Sequence, residues 1–165
     1  MKLKTLFISS FFVTSLVFAA PVDTGHAEVS IIKTEQSDNA GIVNLGIKMD
    51  MQAGWHTYWI NPGDSGGAID IEWTLPKGNT ASEVSYPAPH KIPYPPLMTF
   101  GYEDHVVFPV TLSVSNLDQD IPITAKIDFL ICADVCIPET ALIQTSLNTI
   151  AVSYTHLTLP TTAIV

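Results

Sequence analysis

The two cysteines of the chain, Cys132 and Cys136, lie in the stretch ICADVCIPE at positions 131–139. Such a pair can staple a fold, bind a metal, or open and close as a redox disulfide. As a staple it would be weak, because loop entropy contributes about 2 kcal/mol for a loop this short, against about 3 kcal/mol for a 15-residue loop. Zinc would need two further ligands, and no second cysteine pair or compact histidine cluster supplies them. We therefore expect a redox pair, with a staple as the alternative.

The first 19 residues predict the compartment in which these thiols work. Lys2 and Lys4 precede an apolar run at 6–18, and a small-x-small site ends at Ala19. This is the pattern of a secretory signal peptide cleaved after Ala19. The apolar run is shorter than the roughly 20 residues of a membrane-spanning helix. We expect export to an oxidising compartment, the periplasm, where disulfides persist.

The charge of the exported chain excludes several partners. Removal of residues 1–19 leaves five lysines against 16 acidic residues, a net charge of −11, and the chain has no arginine. Phosphate binding needs clusters of Lys and Arg, and anionic membrane surfaces attract basic segments. No nucleic-acid partner is therefore expected.

Hydrophobic alternation predicts the elements that position the cysteines. In residues 42–51 (IVNLGIKMDM) every second side chain is apolar, the period of a half-buried strand. Similar patterns occur at 27–33, 69–75, 105–114, 123–131 and 141–150. Short strands separated by Pro and Gly clusters predict an all-β, immunoglobulin-like antiparallel β-sandwich. Residues 61–67 and the Pro-rich stretch 86–102 are predicted to be loops.

The strand at 123–131 also predicts how the thiols are presented. If its odd-numbered residues face the core, Cys132 emerges on the opposite side at the strand end, where a partner thiol can reach it. Pro138 disfavours a helix through the pair. Asp134 and Glu139 lie close by, and Lys, Arg and His are absent from 131–139. Because acidic neighbours disfavour a thiolate, we expect a slow, selective thiol couple that needs a docked partner.

Two other motifs have competing interpretations. The sequence GDSGG at 63–67 matches the nucleophile motif of chymotrypsin-like proteases, but His56 lies only nine residues before Ser65, so a turn is the better interpretation. Met49, Met51 and His56 are ligand types that suit copper(I). Both methionines share a face with apolar residues, which favours core packing. A copper-binding β-sandwich without redox cycling remains the alternative function.

Five motifs occur in one order along the chain: GWHTYWINPGDSGG at 54–67, IEWTLPKG at 71–78, YPAPHKIPYPPLMTFGYED at 86–104, FPVTLSV at 108–114 and ICADVCIPE at 131–139. Together they resemble the N-terminal periplasmic domain of the thiol:disulfide interchange protein DsbD and its copper-tolerance relative ScsB. The resemblance covers most of residues 28–150. Other branches of the family separate the two cysteines more widely than the CxxxC spacing found here.

The resemblance implies a function and its partners. In that family the domain is an immunoglobulin-like sandwich that forms part of a protein-disulfide reductase. Its cysteine pair, here Cys132 and Cys136, receives electrons through a membrane domain and passes them to thioredoxin-like periplasmic oxidoreductases. By resemblance, Cys136 forms the mixed disulfide and Cys132 resolves it. No cofactor and no metal are expected.

The family also has an aromatic cap loop over its cysteines. The best local candidate is the segment 97–104 (LMTFGYED), in which Phe100 and Tyr102 supply bulk and Gly101 allows a close bend. Phe100 is the preferred cap residue and Tyr102 the second candidate.

The last residues suggest a boundary. The stretch VSYTHLTLPTT at 152–162 resembles the translation of a sequencing adaptor, so 27–150 is the predicted redox domain and 152–165 a non-native tail; a genuine final strand is the alternative. Complete family members continue into a multi-span membrane domain and a thioredoxin-like domain, which are the expected intramolecular partners.

Overall fold

The computed structural model describes residues 20–38 and 41–153, without the side chains of 34–38. Regular structure in these ranges is entirely β, with no helix. The strands are β1 (Val22–Asp23), β2 (Ala27–Asp38), β3 (Ile42–Met51), β4 (His56–Gly63), β5 (Asp70–Thr74), β6 (Thr80–Ala81), β7 (His90–Tyr94), β8 (Leu97–Glu103), β9 (His105–Ser113), β10 (Pro122–Cys132), β11 (Cys136–Ser146) and β12 (Ala151–Val152). The described ranges therefore contain no helix long and apolar enough to span a bilayer.

The strands form two sheets that pack face to face. The first has the order β1-β2-β3-β9-β6, with β12 added beside β2, and the second has the order β11-β10-β4-β8-β7, with β5 added beside β10. Every pairing is antiparallel except the short parallel contact of β12 with β2. The predicted all-β, immunoglobulin-like sandwich is confirmed.

The core lies between the two inner faces, and the alternation seen in the sequence builds it. In β3 the side chains of Leu45, Ile47 and Met49 are fully buried. Phe108 of β9 and Ile127 of β10 are also fully buried against the same core. Burial of an aliphatic or aromatic side chain of this size contributes about 1.5–3 kcal/mol, so these inner faces dominate the stability of the domain.

The two methionines of the copper interpretation belong to this core. Met49 and Met51 are buried in the first sheet. His56 begins β4 in the second sheet, in register with Cys132 and Glu103. Its neighbour Thr57 is in register with the core residue Tyr102, so His56 points to the outer face. The arrangement therefore gives no support to a shared Met-Met-His copper site.

The predicted loop at 86–102 is wrong for most of its length, because β7 and β8 form a hairpin there. Prolines misled the sequence interpretation. Pro93 is tolerated because β7 is the edge strand of its sheet, where an absent N–H costs no ladder hydrogen bond. The final predicted strand was also misplaced, since β11 spans Cys136–Ser146 rather than 141–150.

A polar network ties the N-terminal segment to β11. The Thr24 hydroxyl donates a hydrogen bond to Glu139 Oε2, and His26 Nδ1 lies 2.5 Å from Glu139 Oε1. The Trp55 ring stacks on His26 with 3.9 Å between ring centroids. Glu139 is 9% exposed, so its carboxylate is buried with partners rather than solvated. Residues before 27 therefore take part in the fold.

The far end of the described chain also pairs with the first sheet. Ala151 and Val152 lie beside Ile32 and Lys33, and the Ser153 N–H donates to the Lys33 carbonyl at 2.9 Å. The predicted signal peptide at 1–19 and the tail beyond residue 153 lie outside the described residues.

Candidate redox site

Two neighbouring strands place the cysteines opposite each other. Cys132 is the last residue of β10 and Cys136 the first of β11, and the ladder pairs them directly. Their Cα atoms are 4.1 Å apart and the sulfurs form a disulfide. The connection is closed by a backbone hydrogen bond from the Ala133 N–H to the Val135 carbonyl at 3.1 Å. The pairing of the strands, rather than a helix terminus, thus brings the two sulfurs together.

The two sulfurs differ in accessibility. Cys132 is 1% exposed, whereas Cys136 is exposed to solvent and Val135 between them is 62% exposed. Strand alternation does direct Cys132 away from the core, since its neighbour Ile131 is fully buried in the core. The prediction that a partner thiol can reach Cys132 is nevertheless wrong. Cys132 is flanked by β11 on one side and by β4 on the other, and Cys136 is the sulfur-bearing residue exposed to solvent.

Tyr58 of β4 reaches the accessible sulfur. Its hydroxyl oxygen lies 3.4 Å from Cys136 Sγ, and His56 Nε2 lies 3.3 Å from the same oxygen. The Tyr58 side chain shares the outer face of the second sheet with His56, and the two rings meet edge to face at 5.2 Å. No local pattern in the sequence identifies Tyr58, because its proximity to Cys136 depends on the pairing of β4 with β10.

A turn covers the Tyr58 ring. The segment GDSGG, predicted to be a turn, leaves β4 at Gly63 and passes over the ring so closely that a Cβ on Gly66 would lie 2.3 Å from Tyr58 Cε1. Gly66 also has a φ of +105°, which L-residues rarely adopt. Asp64 Oδ2 accepts a hydrogen bond from the Met98 N–H at 2.8 Å, which ties the turn to β8. Tyr58 is consequently only 2% exposed although it points away from the core.

Burial sets the protonation of the two polar rings. Desolvation raises the pKa of Tyr58, opposed by a hydrogen bond with the Ser65 side chain. Desolvation lowers the pKa of His56, opposed by the nearby charge of Glu103. Tyr58 therefore remains a neutral hydroxyl at neutral pH.

The two acidic residues near the cysteines lie in different environments. Asp134 is exposed in the connection between the strands. Glu139 faces the opposite side of β11 from Cys136 and is held by Thr24 and His26. The expectation that both carboxylates act on the thiols is therefore wrong for Glu139.

Tyr102 does not cap the disulfide. It is 4% exposed, its hydroxyl donates to the Pro87 carbonyl at 2.8 Å, and its ring packs edge-on against Phe108. The prediction that it covers the cysteines is therefore wrong. Phe100 lies two positions earlier in β8 and is half-buried, and a Cβ on Gly63 would lie 3.2 Å from its ring. Its capping role stays a prediction.

Within the described ranges, no group of three or more His, Cys, Asp or Glu side chains could hold a metal ion. The functional groups gathered at the site are the two sulfurs and the hydroxyl and imidazole beside them.

Fold and site together define a β-sandwich domain with a disulfide at a strand end. Residues 27–148 match the family described as "Thiol:disulfide interchange protein DsbD, N-terminal", and the chain belongs to this family. The resemblance seen in the motifs is confirmed.

The solved structure of a ScsB domain agrees with this membership. The crystal structure of the N-terminal periplasmic domain of ScsB from Proteus mirabilis is 28% identical, with a TM-score of 0.61, and the match covers 77% of this chain and 49% of that one. The chain thus corresponds to about half of that crystallised domain. The GAE domain of GGA2p from Saccharomyces cerevisiae matches at 9% identity and a TM-score of 0.44, over 77% of this chain and 96% of that one. No curated protein matches the chain significantly.

Proposed function

We propose that the domain is a periplasmic thiol:disulfide exchange module that relays electrons from a membrane reductase domain to thioredoxin-like oxidoreductases. The observation that carries the proposal is a disulfide with one accessible sulfur, Cys136, and one buried sulfur, Cys132. The family membership and the periplasmic ScsB domain support the same chemistry.

The relay proceeds by two thiol exchanges. In the reduced domain the Cys136 thiolate attacks a sulfur of the partner disulfide, which forms a mixed disulfide and releases one partner thiolate. The Cys132 thiolate then attacks Cys136 Sγ, so the intramolecular disulfide re-forms and the second partner thiolate leaves. Two electrons pass to the partner, whose two thiolates take up protons. A dithiol of the membrane domain reduces the module again by the reverse steps.

The strand pairing makes the second step efficient. The ladder between β10 and β11 holds the two cysteines opposite each other independently of the S–S bond. Reduction therefore leaves the resolving thiol beside the reacting sulfur, at a high effective concentration. Burial of Cys132 also keeps it away from other partners, which favours resolution within the domain.

Trapping experiments test the proposal. Reduced Cys132→Ala protein should form a stable mixed disulfide with a periplasmic thioredoxin-like oxidoreductase through Cys136, while Cys136→Ala protein should form little. A titration in glutathione buffers, read by alkylation and mass spectrometry, should show the wild-type pair changing between dithiol and disulfide as one unit. A wild-type pair that stays oxidised in strongly reducing buffer while the fold is intact would contradict the proposal.

Phe100 is the remaining candidate for a side chain that limits access to the reduced cysteines. A reduced pair in an oxidising compartment needs protection from wrong oxidants, and Phe100 lies on the strand next to β4. We expect Phe100→Ala to speed the alkylation of reduced Cys136 while the near-ultraviolet circular dichroism stays that of the wild type. Unchanged rates would remove Phe100 from the shield.

The wider context is part of the same proposal. We propose that residues 1–19 direct export, that 27–150 form the redox domain, that 152–165 are foreign, and that the natural protein continues into membrane and thioredoxin-like domains. Intact-mass and N-terminal analysis of the exported protein tests cleavage after Ala19, and genomic sequence across codon 152 tests the tail.

A further inference from the structure

The two thiol exchanges use only sulfur atoms, yet a line of polar atoms leads to the reacting sulfur. His56 Nε2, Tyr58 Oη and Cys136 Sγ follow one another at separations of 3.3 and 3.4 Å. Both separations suit a hydrogen bond, given the larger radius of sulfur. The line ends on the accessible sulfur, not on the buried one.

The Tyr58 hydroxyl is held in place. Its ring is 2% exposed and lies under the turn at Gly66, whose missing side chain permits the contact. A positioned donor of this kind needs no reorganisation when charge develops beside it.

The number of hydrogen bonds that each group can donate and accept indicates which group is the donor in each contact. A tyrosine hydroxyl donates one hydrogen bond and accepts two. The Ser65 bond lowers the pKa of Tyr58, as expected if Ser65 donates to the tyrosine oxygen. His56 Nε2–H can occupy the second acceptor site, which leaves the phenolic proton for the sulfur. Burial keeps that proton on Tyr58 because the charged form is disfavoured.

We infer that Tyr58 is a catalytic residue whose hydroxyl donates a hydrogen bond to the Cys136 thiolate, and that His56 is a positioning residue that orients this hydroxyl. The inference rests on the proposed function, and it names the group that stabilises the negative charge of the Cys136 thiolate during exchange. Such a group is needed because residues 131–139 contain no Lys, Arg or His, and no helix in the described ranges ends at the site. The hydroxyl would offset the unfavourable surroundings of the thiolate.

The test measures the pKa of Cys136 in the reduced protein. Iodoacetamide alkylation of Cys136 is followed between pH 5 and 10 by peptide mass spectrometry. Tyr58→Phe keeps the ring beneath the turn and removes only the hydroxyl. Loss of a hydrogen bond to a charged sulfur should raise the thiol pKa by about one unit, and so slow alkylation about tenfold at a pH below both pKa values.

Tyr86→Phe is the matched control. Its hydroxyl is also partly buried and donates to a backbone oxygen, that of Ile69 at 3.2 Å, but its ring packs edge-on against the core residue Phe108. This variant should leave the pKa of Cys136 unchanged. For His56, the Leu variant should shift the pKa of Cys136 in the same direction as Tyr58→Phe, and the Gln variant, which retains an N–H donor, should restore much of the wild-type value. Glu103, opposite His56 on β8, is unchanged in each variant.

The outcomes separate this inference from the proposed function. An unchanged pKa of Cys136 in folded Tyr58→Phe protein overturns the role of Tyr58, even if the wild-type pair cycles in redox buffer. Equal shifts in Tyr58→Phe and Tyr86→Phe also overturn it, because they would report a general loss of stability. A wild-type pair that does not cycle refutes the exchange module itself, whatever the pKa of Cys136.

Discussion

Replacing each cysteine by serine should have unequal effects on stability, because the two sites differ in burial. Cys132→Ser and Cys136→Ser open the same short loop, closed by cysteines four positions apart. The loop-entropy relation assigns about 2 kcal/mol of unfolding free energy to that loop, so both variants should lose this much. Cys136 is exposed, and a serine hydroxyl there can be solvated at no further cost.

Cys132→Ser should lose unfolding free energy for a second reason. The residue is 1% exposed, so a serine hydroxyl at this position is buried and costs about 1–3 kcal/mol more if it lacks a partner. We therefore expect Cys132→Ser to lose about 3–5 kcal/mol in total. The double serine variant should resemble Cys132→Ser, because the loop can be opened only once. A domain whose unfolding free energy exceeds about 6 kcal/mol, within the usual range of about 5–15 kcal/mol, remains folded after such a loss.

Urea unfolding followed by tryptophan fluorescence measures these differences. The reduced wild type is the matched control, since it opens the loop without changing either side chain, and it should lose about 2 kcal/mol. Equal losses for the two single variants would refute the burial argument. A double variant that fails to fold would favour the structural staple over the redox pair.

Three further predictions concern the rest of the domain. Gly54→Ala should lower the unfolding free energy by about 1–2 kcal/mol because of its φ of +83° alone, whereas Gly66→Ala should lower it by about 1–3 kcal/mol more because the added Cβ meets the Tyr58 ring. Thermal unfolding of the two variants measures the difference. Burial raises the pKa of Tyr102 well above its usual value, so this tyrosine ionises in the unfolded chain before it ionises in the folded domain. The unfolding free energy should therefore fall as pH rises past about 10, and it should fall less steeply in Tyr102→Phe; urea unfolding at pH 8 and above pH 10 measures both slopes. Deleting 154–165 should change the unfolding free energy by less than about 0.5 kcal/mol, and deleting 151–165 should cost about 1–2 kcal/mol through lost pairing with β2, which the same assay resolves.

The sequence predicted the features that depend on local patterns. Alternation in 42–51 identified β3 and its buried face, and the turn chemistry of GDSGG identified the end of β4. These succeed because side-chain direction along a strand has a period of two, whatever the strand's neighbours are. The five motifs also identified the family, and the closely spaced cysteines predicted the disulfide.

Only the tertiary structure decided which sulfur is accessible and what surrounds it. The prolines of 86–102 concealed a hairpin, because a proline is compatible with a strand only when that strand lies at an edge, and edge position is not a local property. Tyr102 lies in the core for a similar reason, since the partner that buries it, Phe108, is on another strand. Cys132 is buried and Tyr58 reaches Cys136 because β4 enters the sheet beside β10. The Thr57 hydroxyl donates a hydrogen bond to the Leu130 carbonyl, and 73 positions of sequence separate these two residues. No local pattern could therefore relate the two strands.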